Sequence, residues 1–305
     1  LGFQHNGSPA TRWKTDIDFT SVSDEDYFDD LDTNLEISRQ DHLDQRADLT
    51  YYGENWNVRT RLHDYQTVDS SSSSPYKILP QITLTGGQNY SEDLSLNYTA
   101  EFTRFDRDLS GLTGSSRIIG DRTFLLPSIS YEWQQPWAFI KPSLRLWSSH
   151  YKLDNQLTGR DEKPSITTPI LSIDSGLIFE RDRSGGGTQT LEPRLFALYV
   201  PEEEQDDIPN FDTSEYSLSY AYLFRYNRFS GKDRIGDAQQ LSLGLSSAFY
   251  RENGAEQARL SIGQAYYFSD REVTLSSGAA DITTGQSDIA TEVLWYITPN
   301  LRASM

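Results

Sequence analysis

The chain has 305 residues, 45 of them acidic and 27 basic, for a formal charge of −18. No run approaches the roughly 20 apolar residues that a spanning helix needs, so a helical membrane protein is excluded. An aromatic content of 12% argues against a disordered chain, and the acid excess argues against nucleic acid, whose phosphates need a basic footprint.

Cysteine is absent, which removes disulfides, zinc–thiolate sites, iron–sulfur clusters and cysteine nucleophiles from this stretch. The first residue is Leu1 and the single methionine is Met305. The sequence therefore reads as an internal or processed segment, with any targeting signal upstream of it.

Period-two alternation dominates the chain. Strands are predicted at 11–20, 34–52, 55–67, 77–85 and 89–106. In the last of these, Leu94, Leu96, Tyr98, Ala100 and Phe102 share one face. Ser95, Asn97, Thr99, Glu101 and Thr103 share the other, as the alternating side chains of a strand require. Further strands are predicted at 120–133, 136–152, 165–182 and 188–200. The next is predicted at 215–226, where Tyr216, Leu218, Tyr220, Tyr222 and Phe224 alternate with Ser217, Ser219, Ala221 and Arg225. The pattern continues at 238–250, 256–268, 271–277 and 286–298. About fourteen strands result, without the i, i+3, i+4, i+7 spacing of a helix, so antiparallel connections are expected rather than βαβ units.

The connections alternate in length. Short ones fall at Gly53–Asn55, Gly86–Asn89, Gln134–Pro136, Ser184–Gly187 and Ser269–Arg271; longer polar ones fall at 21–33, 68–76, 107–119, 153–164, 201–214 and 278–285. Tight turns at one end and long loops at the other are the pattern of an up-and-down outer-membrane barrel. Two connections break it: 227–237 is long where a tight turn is due, and Glu252–Ala255 is short where a long loop is due. The acidic runs at 23–32 and 201–212 read as solvated loop surface or, alternatively, as divalent-cation binders beside anionic head groups. Neither has the spacing of a calcium loop, so no metal is assigned.

Alternation alone also fits a soluble β-sandwich. Three features favour a membrane. Strand lengths match the ~9–11 residues of a tilted bilayer crossing. The second face reads as wholly polar, with Glu101, Lys141, Arg145, Glu192, Arg194 and Arg225 on it. Tyrosine and tryptophan cluster near strand ends, at Tyr51, Tyr52, Trp56, Tyr131, Trp133, Trp137, Trp147, Tyr151, Tyr266, Tyr267, Trp295 and Tyr296, as in an interfacial girdle. The fold class expected is all-β, an antiparallel transmembrane β-barrel. Because an unpaired edge is costly in lipid, residues 1–305 are expected to be part of one larger barrel domain with further strands outside them.

No enzymatic constellation is found. His5, His42, His63 and His150 are scattered without ligand spacing, and Ser184–Gly187 is a glycine-rich turn without the Lys-Ser/Thr of a phosphate loop. No catalytic residue and no cofactor are assigned.

Several blocks carry a resemblance. They are FERDRSGGGTQTLEPR at 179–194 followed by LFALYVP to Pro201, QDDIPNFDTS at 205–214, YLFRYNRFSGKDRIGDAQQLSLGLSS from Tyr222 to Ser247, and SIGQAYYFSDREV at 261–273. Their succession resembles the LptD (OstA) family of LPS-assembly proteins, outer-membrane translocons for lipopolysaccharide. The resemblance implies a Gram-negative outer-membrane location among its lipids, and a very large barrel behind a periplasmic jellyroll. It also implies an LptE-like lipoprotein as a plug in the bore and a periplasmic Lpt bridge protein that delivers substrate. Lipopolysaccharide would leave through a lateral opening between the first and last strands. Residues 1–305 would be the middle of that barrel, with the jellyroll, the terminal strands and the family's cysteines outside. A porin or sugar-permeable channel is the alternative within the same fold, and a soluble β-rich binding domain the alternative outside it.

The segment 225–237 mixes Arg225, Arg228, Lys232 and Arg234 with Asp233 and Asp237 around Gly231 and Gly236. Three readings stand for it: a lumenal excursion that braces the wall by charge pairs, a contact for the plug or for lipid, or a miscounted strand that undoes the alternation of connections. The acid excess near the bore further suggests that lipopolysaccharide phosphates are repelled unless divalent cations intervene.

Overall fold

A computed structural model of the chain describes residues 1–23, 41–68, 74–276, 278–298 and 301–305. Its strands form one continuous antiparallel sheet of sixteen. In chain order they are β1 (Gly2–Gly7), β2 (Trp13–Thr20), β3 (His42–Tyr52), β4 (Trp56–Thr67), β5 (Lys77–Asn89), β6 (Leu94–Asp106), β7 (Ile119–Tyr131) and β8 (Trp133–Gln135). They continue with β9 (Ala138–Asp154), β10 (Ser165–Leu177), β11 (Phe179–Asp182), β12 (Thr188–Val200), β13 (Ala238–Tyr250), β14 (Glu256–Tyr267), β15 (Ala290–Thr298) and β16 (Leu301–Ser304). The short β8 and β11 extend the hairpins they belong to by pairing with β9 and β12, so the main path has fourteen strands.

The predicted total is met by a different membership. Residues 215–226 and 271–276 are not strands, while β1 and β16 lie outside the predicted ones. The predicted turn at Gly86–Asn89 is still strand, and the chain turns at 90–93 instead. The 34–40 part of one predicted strand and the 24–32 part of the first acidic run lie outside the described residues.

Removing 215–226 from the sheet also repairs the alternation of connections. Residues 201–237 become one long connection and 251–255 the short one after it. Short connections at 8–12, 53–55, 90–93, 132–137, 178–187 and 251–255 then alternate with long ones at 68–76, 107–118, 155–164, 201–237 and 268–289. Successive antiparallel strands place the two sets at opposite ends of the sheet.

One face of the sheet is a belt of exposed aliphatic side chains. Leu144, Leu171, Leu195, Leu243, Leu245 and Ile262 are each between 38% and 48% exposed, and the pairs Leu144–Leu171, Leu195–Leu243 and Leu245–Ile262 are directly opposed across neighbouring strands. A continuous apolar face of this extent is stable against acyl chains and not against water. Leu243 lies near the middle of β13. The substitution Leu243→Arg is expected to destabilise the inserted barrel by about 2–4 kcal/mol. Denaturant titration in lipid vesicles reads that loss, and a stability equal to the parent's would remove lipid from this face.

The opposite face is polar over only part of its height. Toward the long connections it carries Phe105, Phe124, Trp147, Tyr151, Ile170, Phe196 and Val200, all at most 4% exposed. They pack with Ile208, Phe211 and Ile235 of the connection 201–237 into a single apolar cluster. The expectation of a wholly polar face is therefore corrected: the wall is apolar where its own chain covers it. Trp147 and Tyr151 likewise belong to this inner cluster and not to an interfacial girdle. Aromatic residues do flank the short connections, with Trp13 against Tyr51 at 4.9 Å, Tyr51 against Trp56 at 5.4 Å and Trp133 against Trp137 at 5.8 Å between ring centres.

Candidate functional site

The connection 201–237 lies against the inner face, and two chemically different anchors hold it there. The apolar anchor includes the residues that mimic a strand in the sequence. Leu223 and Phe224 lie in a single 3-10 turn spanning Ala221–Phe224, Tyr220 immediately precedes it, and Leu223 is fully buried. The turn rests on β13 and β14 where both present glycine. A Cβ on Gly244 would stand 2.6 Å from the Phe224 ring, and one on Gly263 would stand 2.7 Å from Leu223. Ser242 donates to the Leu223 carbonyl at 2.5 Å, and Ser246 donates to the Tyr220 hydroxyl at 2.9 Å.

The polar anchor centres on Arg122 of β7, whose side chain is wholly buried. Its guanidinium forks onto both carboxylate oxygens of Asp212, at 2.8 and 2.5 Å, and donates to Asp233 at 2.6 Å. Asp233 also accepts the Tyr151 hydroxyl at 3.0 Å and the backbone N–H groups of Phe211 and Asp212 at 2.8 and 2.9 Å. Lys232 pairs with Glu101 of β6, whose carboxylate further accepts the Thr83 and Thr103 hydroxyls at 2.9 and 3.0 Å. Gly231, at φ +64°, makes the turn that brings Lys232 and Asp233 to the wall, and a Cβ there would stand 2.5 Å from the Asp212 carbonyl.

A second group ties the connection to residues 271–274. Arg228 pairs with Asp237 at 2.9 Å and donates to the Val273 carbonyl, while Asp237 accepts the backbone N–H groups of Glu272 and Val273 at 2.9 and 3.1 Å. Arg234 donates to the carbonyls of Ile208 at 2.7 Å and Thr274 at 3.3 Å. Arg225 stands apart from both groups: it is exposed and lies over the Tyr216 ring at 4.2 Å. Five of the six sequence candidates, Arg228, Lys232, Asp233, Arg234 and Asp237, are thus engaged in docking. Their counterparts Glu101, Arg122, Tyr151 and Asp212 are not among those candidates. Part of the second acidic run is engaged as well, since Asp207 pairs with Arg160 at 2.9 Å.

Burial raises the carboxyl pKa of Asp212, but the hydrogen bonds and charge of Arg122 outweigh it and hold the group down at about 2. Burial and the neighbouring Asp212 charge push Asp233 upward against the pull of Arg122. The first proton taken up in acid therefore goes to Asp233 and relieves crowding of two carboxylates around one guanidinium. A depressed folded-state pKa contributes stability that is complete above the unfolded value and is lost as pH falls through the folded one. A raised pKa works the other way, so docking of 201–237 is expected to strengthen as Asp233 takes up its proton and to weaken only between about pH 4 and 2, as Asp212 is protonated. Asp212 keeps one side toward solvent, so the loss is held to about 1 kcal/mol. Protease cleavage within 201–237 measured against pH checks this, and a midpoint above pH 5 would contradict it.

A long antiparallel sheet with an exposed apolar belt on one face and a long connection folded against the other has the architecture of a membrane β-barrel wall. The chain belongs to the LptD family, LPS transport system D, whose family model matches residues 1–305. It is 39% identical to the LPS-assembly protein LptD of Ectopseudomonas mendocina, over 99% of this chain and 37% of the relative. It is 41% identical to that of Alcanivorax borkumensis, over 95% of this chain and 39% of the relative. Against that of Pseudomonas aeruginosa strain UCBPP-PA14 the identity is 40%, over 90% of this chain and 33% of the relative. The chain thus spans between a third and two-fifths of the length of these curated relatives.

Proposed function

We propose that residues 1–305 form part of the barrel wall of an outer-membrane translocon that assembles lipopolysaccharide into the outer leaflet of a Gram-negative cell. The observation that carries this reading is the family match over the whole chain, with its relatives named as LPS-assembly proteins. The inner wall suits the task. Beyond the apolar cluster it presents hydroxyls and paired ions, such as Arg194 with Asp174 at 2.6 Å and Arg259 with Glu192 at 2.9 Å, which keep a saccharide hydrogen-bonded as it passes. An LptE-like lipoprotein would share the bore, and a periplasmic Lpt bridge protein would deliver substrate through a domain outside this stretch. Arg228, Lys232, Asp233, Arg234 and Asp237 act as braces that keep 201–237 against the wall, and Arg225 is left exposed.

The porin alternative is disfavoured because a self-filled bore restricts ion flow. The full-length protein in planar bilayers should conduct far less than an open barrel of its size. Cells depleted of it should lose newly made lipopolysaccharide from their surface. Steady large conductance together with unchanged surface lipopolysaccharide would reverse the choice.

A further inference from the structure

Cations on the inner wall and its docked connection are generally matched by acids: Arg122, Lys232, Arg228, Arg194, Arg259 and Lys141 each meet a carboxylate. Arg59 and Arg234 spend donors on amide or carbonyl oxygens instead, and two further arginines, Arg145 and Arg225, lie over aromatic rings. Arg145, on the inner face of β9, donates to the Ser172 hydroxyl at 3.1 Å and lies over the Tyr226 ring at 4.8 Å. Arg225, one residue before Tyr226, lies over Tyr216 at 4.2 Å and is exposed. Among the described residues neither has a carboxylate within ion-pair distance.

Tyr226 joins the two: Arg145 of the wall lies over its ring, and Arg225 directly precedes it in the chain. Burial pushes the Tyr226 phenol up in pKa, while the charges of Arg145 and Arg225 both pull it down. A guanidinium held over an aromatic ring keeps N–H donors for a planar or tetrahedral oxyanion, and Arg145 has given one of its five to Ser172. The wall beside Arg145 offers hydroxyls, at Ser143 and Ser172, in place of apolar groups. An oxyanion carried on a hydroxyl-rich body satisfies both features, whereas a lipid tail or an apolar peptide satisfies neither.

We propose that Arg145 and Arg225, oriented by Tyr226 and Tyr216, form an anion-recognising station on the bore for a phosphorylated saccharide. The assignment rests on the reading that saccharide chains traverse this bore. Its occupant is drawn by charge at the guanidinium edges and by hydrogen bonding at the serine wall. Tyr216, Arg225 and Tyr226 belong to the docked connection and Arg145 to the wall, so the station holds its shape only while the connection stays docked.

The test uses the full-length protein in detergent, with dextran phosphate as probe and neutral dextran of equal length as control. The parent should bind dextran phosphate about tenfold more tightly than dextran, and the double variant Arg145→Gln, Arg225→Gln should lose about that factor. The pair Arg145→Lys, Arg225→Lys should keep an intermediate, salt-sensitive affinity, because the charge remains while the planar fork is lost. Heat-modifiable migration on gels confirms that each variant is a folded barrel. Equal affinity of parent and double glutamine variant, equal binding of the two dextrans, or inorganic phosphate binding as tightly as dextran phosphate would each overturn the proposal. The translocon reading fails by a separate measurement: surface lipopolysaccharide that persists when the protein is depleted.

Discussion

Arg122→Met is expected to release residues 201–237 from the wall at a cost of about 3–5 kcal/mol in the docking equilibrium. The reason is an asymmetry of buried ion pairs. Assembling Arg122 with Asp212 and Asp233 gains little over an apolar arrangement, because all three groups give up hydration. Removing only the cation leaves Asp233 fully buried beside Asp212 and Glu101 with its strongest partner gone. Methionine keeps most of the volume, so the effect isolates charge. Hydrogen exchange in 201–237 should rise by about two to nearly four orders of magnitude, the factor that this free energy implies, while exchange in β6, β7 and β9 stays slow. The triple variant Arg122→Met, Asp212→Asn, Asp233→Asn should recover much of the protection, since no uncompensated charge remains. A single variant as protected as the parent would mean that the connection is held by its apolar contacts alone.

The sequence makes the outer face legible for a simple reason. A lipid-facing position has one requirement, so Leu243, Leu245, Leu260 and Ile262 keep period two without exception. The inner face answers to two environments, water lower down and the docked connection higher up, and Trp147, Tyr151, Ile170 and Phe196 break the polar phase where the connection covers them. Tyr216 to Phe224 mislead for a related reason. Aromatic residues at every second position also supply Tyr220 and Phe224 four apart, and with Leu223 they make a packed 3-10 face. The alternation of connection lengths carries the information that periodicity misses, because its two violations, at 227–237 and 252–255, share the false strand as their cause. The charge-rich block 225–237 is likewise legible as unusual, but its partners are not. Arg122 lies 111 residues from Asp233 and Glu101 lies 131 from Lys232, so nothing local in the chain announces these pairs.

Phe211→Ala is the second substitution expected to undock the connection, through packing where Arg122 acts through charge. Phe211 stacks on Phe105 at 4.4 Å between ring centres, meets Tyr76 edge-on at 4.9 Å, and is 9% exposed. Truncating a buried phenylalanine costs about 3–5 kcal/mol, from lost transfer energy and from the cavity left behind. Phe105 stands on β6 and Tyr76 directly precedes β5, so the site has little freedom to collapse, and the upper part of that range is expected. The two anchors share parts: the Phe211 N–H is donated to Asp233 at 2.8 Å, and Arg122 lies over the Phe105 ring at 4.8 Å. Once either anchor opens, the other is already weakened. The double variant Arg122→Met, Phe211→Ala should therefore cost less than the sum of the single ones, by at least ~1 kcal/mol. Protease susceptibility of 201–237 across that double-mutant cycle measures the coupling. Strict additivity would make the charge network and the aromatic stack independent fastenings of separate parts of the connection.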